Sequence, residues 1–169
     1  MRDVIRAHLK TRTAGDVGQT WSEITALAEQ EINPNVPGSY RDDGNAVEIF
    51  GLTGPLTPAA VLVALIERSA GMTVLLTRRA ESLSSHGGQI SFPGGRGEQD
   101  DGAPVRTALR EAEEEIGLAP SHVEILGRLA NYVVGTGYRI TPVVGFVDPA
   151  QRFVRDEREV AEIFEVPLD

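Results

Sequence analysis

The spacing of apolar residues changes about one third of the way along the chain and divides it into two parts. In the first part, residues 4–9 are typical of a short helix, and apolar side chains at helical spacing predict a second helix over residues 21–32. Residues 33–45 are rich in Pro, Gly, Asn and Asp and are typical of a loop. We therefore predict a partly helical N-terminal arm, residues 1–50, and one domain over residues 51–169.

The second part begins with two Leu-rich and β-branched runs, residues 59–66 and 72–77, which predict a hairpin of buried strands. Strands interspersed with helices, without regular βαβ alternation, predict an α/β fold with a mixed sheet. The chain stops abruptly, which leaves a continuation past Asp169 open. The other predicted elements are a glycine-rich loop (84–97), a helix (103–116) ended by Gly117, two strands (123–134 and 139–147) joined by a glycine turn, and a short acidic helix (156–164).

Composition narrows the classes of function. The chain has 169 residues, 41% hydrophobic and 24% charged, which suits one globular domain with an arm. A formal net charge of −9 disfavours general nucleic-acid binding, because that requires clustered cations. The longest apolar run is far shorter than the roughly 20 residues that span a bilayer. We expect a cytoplasmic protein with neither a membrane nor a nucleic acid as its partner.

Residue inventory also limits how the chain could handle phosphate. Lysine occurs once, at Lys10, before every glycine-rich segment, so a P-loop cannot be built. Cysteine is absent, which excludes a thiolate nucleophile and a Cys-rich zinc site. A small anionic substrate would therefore need a metal ion or local arginines.

Three carboxylates fall on one stripe of the predicted helix. At about 100° per residue, Glu114 and Glu115 lie on either side of Glu111, one turn away. Glu113 points elsewhere, and Arg110 lies where it can pair with Glu114. Because clustered like charges repel, we expect a hard divalent cation on this stripe, sharing its coordination with substrate phosphates. From the helix alone, an ordinary solvated acidic face stays open as the alternative.

A double glycine, Gly94-Gly95, precedes this helix and follows Phe92-Pro93. Glycine has no side chain to obstruct a ligand, so backbone can approach closely there. Its carbonyl groups could complete a metal shell. An ordinary tight turn is the alternative.

Together these segments resemble the Nudix box, which starts at a glycine and ends in REUXEEXGU, with U an aliphatic residue. Residues 110–118, REAEEEIGL, match the second half in full. The first half departs, because the stretch from Gly95 to Arg110 is one residue longer than the general box and no glutamate stands at the central position. The acids that could stand there are Glu98, Asp100 and Asp101.

The extra residue has a precedent in the coenzyme A pyrophosphatase branch of the Nudix hydrolases. Residues 75–80, LLTRRA, and residues 86–95, HGGQISFPGG, are similar to that branch's signature. Residues 137–143 are similar to its downstream segment. One position departs, because Ser84 stands where the signature usually has arginine. The resemblance covers residues 58–168.

The resemblance implies a Nudix α/β/α sandwich and a Mg²⁺- or Mn²⁺-dependent hydrolase of phosphoric anhydride bonds. The branch cleaves coenzyme A or its thioesters to adenosine 3′,5′-bisphosphate and 4′-phosphopantetheine or the acylated form. By analogy, Glu111 and Glu115 are the main metal ligands, and the Gly94 carbonyl is a further ligand. Glu114 is a third ligand or a base. We count Arg110, Glu114 and Glu115 as catalytic.

The anionic parts of such a substrate would need arginines, and its adenine an aromatic partner, although each of these residues could also be an ordinary surface group. The general base stays open among Glu114, Glu157 and Glu159, the last two on the predicted acidic helix. The residues expected to bind substrate are Arg79, His86, Gln89, Gly95, Tyr138 and Arg139.

Other functions also stay open from the sequence. A Nudix pyrophosphatase for ADP-ribose or a dinucleoside polyphosphate would carry the same box. A non-catalytic nucleotide-binding module would often lack carboxylates that are present here, and an acidic interaction domain would match the box only by accident. The expected partner is a small nucleotide, with a homodimer as a possible assembly.

Overall fold

The computed structural model describes residues 1–12, 20–21, 51, 55–83 and 86–168. The predicted loop 33–45, Ser84 and all of the predicted helix 21–32 except Trp21 lie outside the described residues. The described helices and strands are α1 (Arg2–Arg12), β1 (Thr57–Arg68), β2 (Gly71–Arg79), β3 (Ile90–Ser91), β4 (Gly94–Arg96), α2 (Pro104–Ile116), a 3₁₀ turn (Pro120–His122), β5 (Val123–Arg128), β6 (Tyr132–Val134), β7 (Tyr138–Val147) and β8 (Val160–Pro167).

The strands form one mixed sheet in the order β3-β2-β1-β7-β5. Strands β1 and β7 pair in parallel from Thr57–Tyr138 to Ile66–Val147, and the other pairs are antiparallel. Strand β4 adds to β1, β6 to β7 and β8 to β2. The predicted β1–β2 hairpin and the glycine turn between β6 and β7 are both confirmed.

Both faces of the central strands are covered, which explains why β1 is apolar almost throughout. Even-numbered β1 residues such as Leu62 and Ile66 pack with Ala112 and Ile116 of α2. Odd-numbered Leu65 belongs to a second cluster on the opposite face, against which α1 packs. Each fully buried Leu or Ile contributes about 1.5–3 kcal/mol. The result is the α/β/α sandwich that the resemblance implies.

The predicted helix over residues 156–164 is wrong. A turn occupies residues 157–159, and strand β8 begins at Val160. The spacing of Val160, Ile163 and Phe164 fits a helix, but β2 offers a free edge to which these residues pair, with Phe164 opposite Leu76. Tertiary pairing thus outweighs the local pattern.

Two smaller findings complete the fold. The predicted strand 123–134 is interrupted and forms β5 and β6. Helix α1 confirms the predicted helix at residues 4–9, and its Arg2 lies 4.4 Å from the centre of the Phe146 ring. Within the described ranges, no helix is long and apolar enough to cross a bilayer.

Candidate active site

Helix α2 is placed so that Glu111 and Glu115, which we call its acidic edge, face β4. It begins at Pro104, a residue suited to the first helical position because its ring fixes φ. It ends at Gly117, whose φ of 66° allows its N–H to reach the carbonyls of Ala112 and Glu113. Ala112 and Ile116 are fully buried against the sheet. This packing turns the adjacent edge of the helix towards the double glycine.

Glu115 is the most deeply buried acid of this edge, at 4% exposure. Its Oε2 accepts a hydrogen bond of 3.0 Å from the Gly94 N–H, and Arg79 Nη1 lies 3.7 Å from its Oε1. Burial, only partly offset by the Gly94 hydrogen bond, raises the pKa of Glu115 to about 7, and repulsion from Glu111 acts in the same direction.

Glu111 lies one turn earlier and rests against Gly95. A Cβ on Gly95 would lie 2.6 Å from the Glu111 carboxyl carbon, so glycine is what allows this carboxylate to reach the backbone of β4. A Cβ on Gly94 would lie 2.4 Å from the Ala60 carbonyl oxygen of β1. Burial raises the pKa of Glu111 despite its 3.0 Å contact with Arg110. Both glycines are therefore required by close packing.

Arg110 holds the acidic edge in place. Its Nε and Nη2 donate to the two carboxylate oxygens of Asp101, both at 3.0 Å. Its Nη1 lies 3.0 Å from oxygens of Glu111 and Glu114, and its Nη2 also donates to the Arg96 carbonyl. The hydrogen bond with Asp101 raises the pKa of Arg110 further above its ordinary value. Every nitrogen of the guanidinium is thus bound within the protein.

Asp101 is the acid, among the three left open by the sequence, that meets Arg110. It is buried and also accepts hydrogen bonds from the Glu98 N–H and the Thr107 hydroxyl. Burial alone would raise its pKa, but the bonds from Arg110, Glu98 and Thr107 outweigh it and lower the pKa to about 2. Asp101 therefore provides the fixed negative charge that orients Arg110.

The predicted stripe of three carboxylates is divided in the structure. The Glu114 side chain is 59% exposed and binds Arg110 at 3.0 Å, whereas Glu111 and Glu115 lie against β4. Within the described part of the chain, no three His, Cys, Asp or Glu side chains are gathered in a group that could hold a metal ion. Direct contact with a shared ion would require Glu114 to turn away from Arg110.

The predicted substrate residues fall into two groups. In the first, Arg79 contacts Glu115, and its backbone exchanges hydrogen bonds with the segment that carries His86 and Gln89. His86 Nδ1 lies 3.0 Å from Gln89 Oε1, and both side chains are exposed. Arg79 and Gly95 therefore lie against the acidic edge, and His86 and Gln89 belong to the segment that pairs with the Arg79 backbone.

The second group, Tyr138 and Arg139, begins strand β7. Pro58 of β1 pairs with Arg139 on one side, and its carbonyl accepts the N–H of Gly97, just after β4, on the other. Since neighbouring strands lie about 4.8 Å apart, this group is about two strand spacings from β4. Both side chains are half-buried.

The two C-terminal candidates for the base lie on the turn before β8. Glu157 pairs with Arg155 at 3.1 Å. The Glu159 carbonyl accepts the Ala80 N–H, next to a β-bulge at residues 78–79. Repulsion from Glu159 contributes to the raised pKa of both Glu111 and Glu115. Glu159 is therefore close to the acidic edge, a proximity that the helix prediction could not reveal.

A mixed sheet between two helices, with a double-glycine strand facing two glutamates of the next helix, defines the class of domain. The profile described as NUDIX domain matches residues 56–169. The chain belongs to the Nudix family.

Relatives and solved structures agree with this assignment. The chain is 48% identical over 110 residues to a protein of Yersinia pestis named Uncharacterized Nudix hydrolase NudL, covering 65% of this chain and 55% of that protein. The chain thus spans about half the length of the curated relatives it matches. A Nudix hydrolase structure from M. smegmatis is 26% identical, with a TM-score of 0.56 over 68% of this chain and 73% of that one.

A C. elegans Ap4A hydrolase complex is 17% identical, with a TM-score of 0.56 over 66% of this chain and 80% of that chain. At this identity the likeness shows the fold alone. The names of these relatives and structures do not mention coenzyme A.

Proposed function

We propose that this domain is a divalent-metal-dependent hydrolase that cleaves the diphosphate linkage of coenzyme A or its thioesters. The products would be adenosine 3′,5′-bisphosphate and 4′-phosphopantetheine or its acylated form. The observation that carries the proposal is the packing of the half-buried Glu111 and the buried Glu115 against the double glycine of β4. The family, with relatives named Nudix hydrolases, supports the general reaction.

The donor set fits a hard divalent cation such as Mg²⁺ or Mn²⁺. Two carboxylates with raised pKa values share a small region, where Arg79 lies 3.7 Å from Glu115 and Arg110 lies 3.0 Å from Glu111. Glycine at position 95 leaves room where a Cβ would meet the Glu111 carboxylate. Glu111, Glu115 and the Gly94 carbonyl would hold the ion, with Glu114 joining after release from Arg110.

A bound ion would offset the charge of the diphosphate and lower the pKa of a water molecule. The chain's own residues have more specific tasks. The Gly94 N–H fixes the direction of Glu115, and Asp101 fixes Arg110, which in turn fixes Glu111. Arg79, which lies 3.7 Å from Glu115, would bind an anionic oxygen of the substrate.

Two residues are candidates for the general base that accepts a proton from the attacking water. Glu114 is exposed and bound to Arg110, and Glu159 lies near Glu111 and Glu115. Glu157 is the weaker choice because it pairs with Arg155. Glu159→Gln and Glu157→Gln form a matched pair on one turn; if Glu159 is the base, only the first should reduce kcat.

The coenzyme A assignment rests on the segment that precedes β4. Residues 75–80 and 86–95 resemble the branch signature, and they include Arg79, which contacts Glu115, and the His86–Gln89 pair. Arg139, with Tyr138, offers a cation further along the sheet for the 3′-phosphate. If so, Arg139→Ala should raise KM for coenzyme A more than for dephospho-coenzyme A.

The test is a product screen with purified protein. Coenzyme A, acetyl-coenzyme A, ADP-ribose and diadenosine tetraphosphate are each incubated with Mg²⁺, with Mn²⁺ and with a chelator, and the products are identified by mass. Release of 4′-phosphopantetheine in the metal-containing samples supports the proposal. AMP with ribose phosphate would instead assign the site to ADP-ribose. Nucleotide binding without turnover would make the domain a binding module.

A further inference from the structure

Trp21, the chain's single tryptophan, belongs to the N-terminal arm yet lies beside the segment that follows β4. A Cβ on Gly97 would lie 2.9 Å from Cζ2 and 3.0 Å from Cε2 of its ring, so the indole lies directly against this glycine. The ring also packs against the main core cluster. The arm, whose helix α1 also packs against the sheet, therefore has a further contact with the domain at Trp21.

The same residue reaches the far end of that segment. The Trp21 backbone N–H donates to the Gly102 carbonyl at 3.1 Å, while its ring covers Gly97. Residues 97–102, which we name the bracing loop, are thus held at both ends by one residue. A further anchor is the hydrogen bond from the Gly97 N–H to the Pro58 carbonyl of β1.

The bracing loop carries Asp101, which makes the arginine contacts described above. Asp101 binds Arg110 through two 3.0 Å hydrogen bonds, and Arg110 lies 3.0 Å from Glu111. A displacement of the loop would move Asp101, and a bidentate pair is sensitive to small displacements because its two bonds share one geometry. A continuous series of contacts therefore joins the arm to the metal-binding edge.

We propose that Trp21 is a positioning residue that fixes the bracing loop, and through Asp101 and Arg110 the direction of Glu111. The inference rests on the proposed metal site and deepens it, because it assigns part of the site's support to the arm. Outer contacts that orient metal ligands commonly change metal affinity when removed, by about 10- to 100-fold. Removal of the Trp21 ring should therefore weaken metal binding by a factor in the same range.

The direct test compares Mn²⁺ affinity, measured by titration calorimetry, among three variants. Trp21→Ala should weaken Mn²⁺ binding by about 10- to 100-fold, and Trp21→Phe should recover most of it because an aromatic ring still covers Gly97. The matched control is Phe153→Ala, which removes another half-buried aromatic ring from the same core cluster. It should lower Tm but leave Mn²⁺ affinity unchanged in the folded protein.

A second variant probes the contact from the other side without removing the ring. Gly97→Ala places a methyl group against the indole and must displace it, so Mn²⁺ affinity should fall here as well. In the double variant Trp21→Ala/Gly97→Ala, the clash has no partner, and the loss should equal that of Trp21→Ala alone. Additive losses would mean that Gly97 acts independently of Trp21, against the proposal.

Wild-type Mn²⁺ affinity in both Trp21→Ala and Gly97→Ala would overturn the inference, as would an equal loss in Phe153→Ala. Because Trp21 is the single indole, Mn²⁺ should also quench its emission in the wild type and not in Glu115→Gln. Saturating Mn²⁺ without quenching would count against its place beside the site. If the wild type binds Mn²⁺ but hydrolyses nothing, the proposed function fails, while these affinities still decide the role of Trp21.

Discussion

Glu115 lies buried and Glu111 half-buried against β4, whereas Glu113 and Glu114, from the same helix, are exposed to solvent. The four side chains have the same chemistry, and only their direction relative to the sheet differs. Glu111 and Glu115, which we call the inner pair, have raised pKa values because burial disfavours their charged forms. Two like charges close together also lower the stability of the fold. An arrangement that opposes stability in this way is typical of a site that binds a cation.

The largest effect should come from the inner pair. Glu115→Gln keeps the acceptor for the Gly94 N–H but removes the charge, so turnover should fall by about 1,000-fold or more while the fold is retained. Product release with saturating Mg²⁺, with circular dichroism as the check on folding, measures this. Near-normal turnover would contradict a metal role for Glu115.

The next effect concerns stability of the metal-free protein. The folded-state pKa of Glu115, about 7, exceeds its ordinary value of 4.5. The unfolded chain therefore loses this proton first, and the free energy of unfolding should fall between about pH 4.5 and pH 7, by on the order of 3 kcal/mol. Urea unfolding with a chelator present measures this.

Two comparisons sharpen the pH test. Mg²⁺ should offset most of the loss above pH 7, because binding to the folded state alone adds stability. Glu115→Gln has no carboxyl to titrate and should remove most of the pH dependence. The opposite result would be a free energy of unfolding that rises from pH 5 to pH 7 in the wild type but not in Glu115→Gln. It would show that ionisation of Glu115 does not destabilise the folded protein.

A smaller effect is expected for the outer Glu114. Glu114 is the partner of Arg110 and a candidate third ligand or base. Glu114→Gln should therefore lower turnover by about tenfold. Arg110 keeps Asp101 and Glu111 in that variant, so the inner pair should stay in place. A loss as large as that of Glu115→Gln would break the distinction between the two pairs.

The smallest effect belongs to Glu113→Gln, the control for the whole series. The Glu113 side chain is exposed. Its backbone carbonyl, which accepts the Gly117 N–H, is unchanged by the substitution. Turnover should stay within about twofold of wild type, as for most surface substitutions. A marked loss would show that net charge on the helix, rather than position, controls activity.

The sequence predicted the parts of the site that depend on local periodicity. Helix α2 begins within one residue of the prediction, and Gly117 ends it in the left-handed conformation. The β1–β2 hairpin follows from two apolar runs and a turn. The site assignments themselves stay predictions, although Glu111 and Glu115 are adjacent to Gly94 and Gly95 as expected.

Features set by long-range contacts could not be predicted. A helical wheel gives Glu114 and Glu115 similar angles from Glu111, and only the position of β4 separates them. The choice of Asp101 depends on how its loop returns to Arg110. Strand β8 depends on the free edge of β2, which no local pattern reveals.

The parallel pairing of β1 with β7 has a consequence for the order of folding. It joins Thr57 to Tyr138, with β4 and helix α2 between them in sequence. Closing so long a loop costs conformational entropy before any contact compensates for it. The β1–β7 pairing, which lies next to β4 in the sheet, should therefore form late in folding. A divalent ion, finding no site until then, should slow unfolding and leave the refolding rate almost unchanged.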